Sequence, residues 1–351
     1  MSKLSLIIAD NDEEYLNGVV GFLTEKYLTR FKILSFTDKI SLINYIEGSN
    51  EKLDILLVSP DLYYENLDKR NISLLAILSS GRLEKDFKGC DIIYKYQLGE
   101  NLAKNILNLY SDKNCEIILT NGEKTTKVVA VFSPNGGSGK TSVAYGCSLK
   151  SVQRGKKAFY LNLEGSASTP LLFETDGQFN LSHVFYYLKS KNKSFSLKIE
   201  GIRMIDKSTG IHYFAPPKNH LELLDIEPDE YSELIAKMKE MRQYDVIFID
   251  MPCFLEKRMI SVLKACDVLL CVLNPENISL VKLQNFLEAL DIIDNINKSE
   301  ILSKTEFLIN KAKDESLGFD EVLNSVDKVI SYRLPKAVKL YFYQNGKYML
   351  D

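Results

Sequence analysis

Tryptophan is absent from this chain of 351 residues, and histidine and proline are scarce, with three and nine residues. His183, His212 and His220 stand apart in the sequence, without acidic or thiol groups clustered around them. This spacing argues against a zinc site or a nucleophilic triad, and we expect the histidines to be structural. The six cysteines show no C-x-x-C spacing, which favours reduced core thiols in a cytoplasmic protein over a disulfide framework.

A surplus of basic residues is also missing. Lys and Arg number 44, and Asp and Glu number 47, so the formal net charge is −3 with neutral histidine. Affinity for nucleic acid depends largely on Lys and Arg that neutralise phosphates. We therefore expect no nucleic-acid partner on the grounds of bulk charge.

Long hydrophobic runs are absent too. Apolar runs such as residues 128–132 and 268–273 are much shorter than the roughly 20 residues that cross a bilayer. Residues 1–6 lack the apolar region of a signal peptide, and residues 342–351 lack the basic face of a membrane-binding helix. We expect a soluble, cytoplasmic chain without a direct membrane anchor.

The residues that are present predict two α/β domains. At about 150 residues per domain the length suggests two, and 45% hydrophobic residues supply material for two cores. Apolar strands alternate with helices in both halves, a pattern typical of doubly wound parallel sheets. Because turn-forming residues cluster between positions 111 and 126, we place the boundary near residue 122, giving domains 1–122 and 123–351.

A lysine-rich stretch interrupts the second half. Residues 188–198 contain four lysines, the last of them Lys198. Such a run favours a solvated loop on the second domain, and a contact patch for an acidic partner is the alternative.

The first domain places polar residues where strands end. Asp10 and Asp12 follow the first strand, Ser59 follows a later one, and Lys95 follows the last. Carboxylates at the carboxyl edge of a parallel sheet can hold Mg²⁺, although Asp12 is better placed to cap the following helix. This order resembles a response-regulator receiver domain, which implies a flavodoxin-like fold.

One residue departs from the receiver pattern. Receivers accept a phosphoryl group on an aspartate at the third strand's tip, where this chain has Ser59. A serine hydroxyl has no carboxylate with which to form an acyl phosphate, so phosphorelay chemistry is not expected. We predict that this domain is an interaction module.

The second domain contains a predicted phosphate-binding loop. Residues 128–132 read as a strand, residues 133–139 as a glycine-bearing turn, and residues 140–154 as a helix. In this order, glycine N–H groups converge on phosphate, while Lys140 supplies charge and Thr141 can bind Mg²⁺. The predicted nucleotide-binding residues here are Asn135, Gly136, Gly137, Ser138, Gly139, Lys140, Thr141 and Ser142.

The loop resembles the deviant Walker A loop of the ParA/MinD family, a branch of the SIMIBI P-loop NTPases. Its Gly136-Gly137 pair and the strand ending in Asp250 carry the resemblance. The resemblance implies that Asp250 and Thr141 serve the metal ion and that Asn310 reads the adenine edge. It further implies that a segment with Arg333 and Pro335 closes over the base, and that the protein forms a homodimer.

Hydrolysis is expected to be slow or absent. The family's signature lysine, which reaches the nucleotide of the partner subunit, is replaced here by Asn135. A missing charge of this kind reduces phosphoryl transfer by about 10³ or more. Glu164, in the switch region, either orients the attacking water as a catalytic residue or is a plain surface acid.

A receiver-like domain followed by a ParA/MinD-like ATPase resembles the TadZ/CpaE family of pilus-assembly proteins. The resemblance implies an ATP-binding homodimeric scaffold that works with other pilus components and localises the Tad apparatus at a cell pole. Two alternatives stay open. One is an active ParA-type partitioning ATPase that binds DNA, and the other is a signalling protein phosphorylated on Ser59 or elsewhere.

Overall fold

A computed structural model describes most of the chain. The described residues are 3–28, 30–48, 52–64, 67, 72–81, 87, 90–113, 125–175, 179–190, 195–312 and 318–335. The boundary predicted at residue 122 and the tail 342–351 lie outside them. The chain forms two compact units, the first of residues 1–119 with 192–201, and the second of residues 120–191 with 202–351.

The first unit is a five-stranded parallel sheet with the strand order β2-β1-β3-β4-β5. This order confirms the predicted flavodoxin-like fold. Its elements are β1 (Leu4–Ala9), α1 (Glu13–Tyr27), β2 (Phe31–Phe36), α2 (Lys39–Gly48), β3 (Leu53–Val58), β4 (Ile72–Ser79), β5 (Asp91–Tyr94) and α3 (Gly99–Lys113).

Alternation along the strands builds a core on each face of this sheet. In β1, Leu6 and Ile8 pack in a cluster with α1 and α3, whereas Ile7 and Ala9 pack in a cluster with α2. Side chains of a strand point alternately to opposite faces, so a continuous apolar run is what a sheet covered on both sides requires.

The second unit is an eight-stranded sheet with the order β13-β12-β11-β6-β10-β7-β9-β8, parallel except for the β8–β9 pair. The predicted P-loop α/β class is confirmed. Its elements are β6 (Lys127–Phe132), α4 (Lys140–Gln153), β7 (Ala158–Asn162), α5 (Thr169–Leu172), α6 (Leu181–Lys189), α7 (Phe195–Ile202), β8 (Met204–Ile205), β9 (His212–Tyr213), a 3₁₀ helix (His220–Leu223), α8 (Pro228–Glu240), β10 (Val246–Asp250), α9 (Lys257–Ala265), β11 (Val268–Leu273), α10 (Asn277–Asn297), β12 (Thr305–Ala312), α11 (Phe319–Asn324) and β13 (Ile330–Pro335). Helix α7 follows α6 in the chain, but its residues 195–201 belong to the first unit.

Helix α7 completes the core of the first unit. Leu197 is fully buried in the cluster that contains Leu107 and Tyr110 of α3. The Lys198 Nζ donates a 3.1 Å hydrogen bond to the carbonyl of Asn108, near the carboxyl end of α3. Arg30 forms an ion pair with Glu200 at 2.8 Å.

The expectation of a solvated lysine-rich loop is therefore wrong at Lys198, which is completely buried. A lysine near a helix C-terminus can satisfy a backbone carbonyl there, and the helix dipole favours its charge. Lys191 and Lys193 lie outside the described residues. None of the described helices is both long and apolar enough to span a lipid bilayer.

Strand β6 lies inside the sheet, between β10 and β11. Its residues Val128, Ala130, Val131 and Phe132 are all buried. Later strands are added on both sides of β6, so the loop that follows it opens at the carboxyl edge of the sheet, where α/β folds form their binding crevices.

Candidate functional site

The glycine loop joins β6 to α4 with backbone conformations that glycine favours. Gly137 has φ +70° and Gly139 has φ +91°, both in the left-handed region. A Cβ atom at Gly139 would also clash with Asn310 Nδ2 unless that side chain moved. Gly136 and Gly137 are exposed at the surface of the loop.

Helix α4 begins at Lys140 without a side-chain cap. Its N-cap residue is Gly139, and no side chain there accepts from the first N–H groups. Uncapped N–H groups at the start of a helix carry partial positive charge and form a binding place for an anion. Lys140, whose side chain is buried, and the half-buried Thr141 and Ser142 form the first turn.

Asp250 lies at the end of β10, the neighbouring strand, and is fully buried. Its Oδ2 accepts a 2.8 Å hydrogen bond from the Tyr160 hydroxyl. Its Oδ1 has no hydrogen-bond partner among the residues that the structure describes. A buried carboxylate oxygen without a partner is costly, and a bound cation is one way to satisfy it.

The pKa of Asp250 is raised to about 7, chiefly because burial penalises the charged form, and next because of the negative charge of Glu164. Tyr160, Thr141 and Lys140 act in the opposite direction and favour the carboxylate. A carboxylate and a hydroxyl are oxygen ligands of the kind that Mg²⁺ prefers. The residues therefore fit the ion, which Asp250 and Thr141 would hold.

A second polar atom in the loop is unsatisfied. The Ser138 hydroxyl is completely buried and has no partner within the described part of the chain. Together with Asp250 Oδ1, it marks this edge of the sheet as a place for a polar ligand.

Glu164 lies two residues beyond the end of β7. Its backbone N–H donates to Asn162 Oδ1 at 2.8 Å, and its Oε2 accepts from the Ser168 hydroxyl at 3.3 Å. Its negative charge raises the pKa of Asp250, the proposed metal ligand. Its part in catalysis stays a prediction.

Asn135 is buried, and its side chain is used within its own chain. The Asn135 Nδ2 donates to Ser279 Oγ at 2.6 Å, and Ser279 is buried in the first turn of α10. The backbone N–H of Asn135 donates to Ser133 Oγ at 3.1 Å. These bonds tie the loop to α10.

The residues predicted to lie around the base are on two adjacent strands, with Asn310 on β12 and Arg333 and Pro335 on β13. Asn310 Nδ2 donates to the carbonyl of Ser138 at 2.9 Å, which places Asn310 against the glycine loop. Arg333 is exposed and pairs with Asp320 at 3.4 Å. The backbone of Pro335 ends β13 opposite Ala312 of β12. Their roles toward a nucleotide stay predictions.

Lys95 neutralises the acidic residues of the first unit. Its Nζ lies 3.3 Å from Asp10 Oδ2 and 3.4 Å from Asp12 Oδ2, and it lies over the rings of Tyr15 and Tyr96. Asp12 accepts from the Tyr15 N–H at 3.0 Å, which confirms it as the cap of α1. Ser59 is buried at the end of β3.

Sequence reasoning missed four residues of the site in the second unit. Tyr160 holds Asp250, Ser279 holds Asn135, and Asn274 and Lys311 both donate to the carbonyl of Gly137. Asn274 directly follows β11, and a polar residue at a strand end was an available signal. Lys311 carried no signal beyond its position next to Asn310.

Two family models match the chain. A family described as AAA domain matches residues 126–303, and a family described as TadZ-like, receiver domain matches residues 2–111. No curated protein matches the chain.

Several solved structures are similar to the second unit. A ParA family ATPase from Chlorobium tepidum TLS is 19% identical, with a TM-score of 0.50, over 60% of this chain and 84% of that one. The septum site-determining protein MinD from Pyrococcus horikoshii OT3, complexed with Mg-ADP, is 18% identical, with a TM-score of 0.47. The match covers 60% of this chain and 82% of that one. The MinC:MinD cell division protein complex of Aquifex aeolicus is 19% identical, with a TM-score of 0.49, over 61% of this chain and 83% of that one.

The AAA domain match covers 178 of the 351 residues. The C. tepidum structure has the same P-loop α/β fold. The chain therefore belongs to the AAA domain family, and a TadZ-like receiver domain precedes that domain.

Proposed function

We propose that this protein binds MgATP in its second unit and acts as a dimeric scaffold for Tad-type pilus assembly, with weak or absent ATP hydrolysis. One observation carries the proposal. The glycine loop leads into an uncapped helix N-terminus beside a buried carboxylate whose Oδ1 has no partner among the described residues.

Each residue of the loop has a physical role toward a triphosphate. The N–H groups of the loop and of the first turn of α4 bind phosphate oxygens. Lys140 adds a positive charge in a place where burial strengthens its attraction to phosphate. Thr141 and Asp250 would hold a Mg²⁺ ion, which would supply positive charge that neutralises the phosphates.

Weak hydrolysis follows from Asn135. Its side chain is neutral and bonded to Ser279, so it supplies no positive charge to the phosphates of a partner subunit. Glu164 remains available to orient a water molecule. Without a supplied charge, P-loop proteins turn over at about one per minute or less.

The pilus assignment is supported by the TadZ-like receiver domain. In this unit the acids are already paired with Lys95, and a serine stands where a receiver carries its reactive aspartate. These features favour a protein-interaction role over phosphorelay. We propose that the first unit contacts other pilus components, in the cytoplasm and at a cell pole.

Calorimetry with MgATP tests the nucleotide site. Wild-type protein is expected to bind one ATP per chain. Lys140→Ala is expected to weaken ATP binding by at least about 100-fold, because the phosphates lose the attraction of the buried Lys140 charge. Lys150→Ala, an exposed lysine in the last turn of the same helix, is the matched control and is expected to bind normally.

A steady-state phosphate-release assay on the same samples tests the hydrolysis claim. Turnover below about one per minute is expected. Absence of binding by wild-type protein would contradict the nucleotide assignment, and fast phosphate release would contradict the scaffold assignment.

A further inference from the structure

The phosphate loop presents its carbonyl groups to two neighbouring strands. Gly137 O accepts from Asn274 Nδ2 at 3.4 Å and from Lys311 Nζ at 3.2 Å. Ser138 O accepts from Asn310 Nδ2 at 2.9 Å. Two successive peptide groups of the loop are thus held from the ends of β11 and β12.

Holding a carbonyl also fixes the N–H group of the same peptide. A trans peptide group is planar, and its C=O and N–H bonds point in opposite directions. When Gly137 O is held toward β11 and β12, the N–H of Ser138 points away from those strands. The bond from Asn310 to Ser138 O fixes the N–H of Gly139 in the same way.

An irregularity in β12 lets both residues reach the loop. Consecutive side chains of a regular strand point to opposite faces, so Asn310 and Lys311 would diverge. The pairing of β12 with β13 shifts between Ile309 and Ala312, and Lys311 has φ +56°. Bulges redirect side chains in this manner, and a left-handed non-glycine residue carries strain that often accompanies function.

From these contacts we propose that Asn310 and Lys311 form a brace that positions the phosphate loop, aiming the N–H groups of Ser138 and Gly139 at the nucleotide. Both are positioning residues that act through the loop. The inference rests on the proposed nucleotide function and deepens it by assigning the residues that set the loop's conformation.

Lysine variants test the brace in the full-length protein. Lys311→Met is expected to weaken MgATP and MgADP binding by a similar factor, about threefold to tenfold, because the loop loses one charged hydrogen bond. Lys311→Arg keeps a donor and is expected to restore most of the affinity.

Lys304→Met is the matched control. Lys304 also donates to two backbone carbonyls, those of Lys264 and Cys266, but it lies just before the first residue of β12, at the other end of the strand. Its loss is expected to reduce stability while leaving nucleotide affinity unchanged. A loss confined to ATP in Lys311→Met would mean direct contact with the terminal phosphate and would overturn the positioning role.

A measurement without nucleotide separates the brace from the proposed function. In protein labelled with ¹⁵N-glycine, Lys311→Met is expected to shift the amide signals of Gly137 and Gly139, and Lys304→Met is expected to leave them unchanged. Unshifted signals in Lys311→Met would overturn the brace. Shifted signals in a protein that binds no nucleotide would uphold the brace as a structural device but overturn its assignment to nucleotide binding.

Discussion

His212 shows how a single buried residue sets a pH dependence. It lies in β9, where Nδ1 is 2.7 Å from Arg203 Nη1 and 3.2 Å from the Tyr244 hydroxyl. Burial, and next the charge of Arg203, hold the pKa of His212 well below its ordinary value of 6.5. The folded protein therefore keeps this histidine neutral at pH values where the unfolded chain takes up a proton.

The sign of the effect follows from that difference in proton uptake. Below pH 6.5 the unfolded state binds more protons, so the free energy of unfolding falls as the pH falls. Between pH 6.5 and 5.5 we expect His212 to reduce the free energy of unfolding by about 1 kcal/mol. Urea unfolding of wild type and His212→Asn at pH 7.5 and 5.5 measures how much the free energy of unfolding of each protein changes with pH. An equal change in the two proteins would contradict the role of His212.

Site residues whose roles depend on near neighbours in the chain could be predicted from the sequence. The glycine loop, Lys140 and Thr141 are contiguous, and the structure places them together before α4. The partners of Asn135 and Asp250 could not be predicted, because Ser279 and Tyr160 are far away in sequence and ordinary in type. The sequence indicated that Asn135 replaces the signature lysine of the family it resembles. It did not indicate the hydrogen bond from Asn135 to Ser279.

Among the elements, α7 has a position that depends on long-range contacts. It is encoded between α6 and β8 of the second unit, yet residues 195–201 pack in the first. Leu197 is fully buried among residues of α1 and α3. Its local sequence alternates apolar and polar residues from Phe195 to Glu200 and carries no information on which core covers it.

Removing the Leu197 side chain tests this placement. Leu197→Ala is expected to lower the free energy of unfolding of the first unit by about 2–4 kcal/mol, since it leaves a cavity in a packed core. Hydrogen exchange followed by mass spectrometry is expected to show faster exchange in α3. Leu171→Ala, in the exposed part of α5, is the control and is expected to change little.

Faster exchange restricted to peptides of the second unit in Leu197→Ala would contradict the placement of α7.

The strands and helices around the glycine loop were predictable, because their apolar runs and turn residues are local signals. The burial of Lys198 was not, since a lysine-rich run is usually solvated and its partner, the carbonyl of Asn108, lies 90 residues earlier.

The whole molecule contains two α/β units, for which we propose different functions. The first has acidic residues neutralised by Lys95, which suits a surface for protein contacts more than a phosphorylation site. The second contains the proposed triphosphate site, in which the neutral side chain of Asn135 is bonded to Ser279. A molecule of this kind is expected to use ATP to stabilise an assembly, because binding energy is retained when hydrolysis is slow.

Native mass spectrometry of the 351-residue chain with MgATP tests ATP-stabilised assembly, because it reports nucleotide content and subunit number together. We expect a dimer with one ATP and at least one Mg²⁺ per chain, which persists on incubation, and a monomer without nucleotide for Lys140→Ala. A wild-type spectrum without nucleotide adducts at saturating MgATP, or one that shows only ADP after a short incubation, would contradict it.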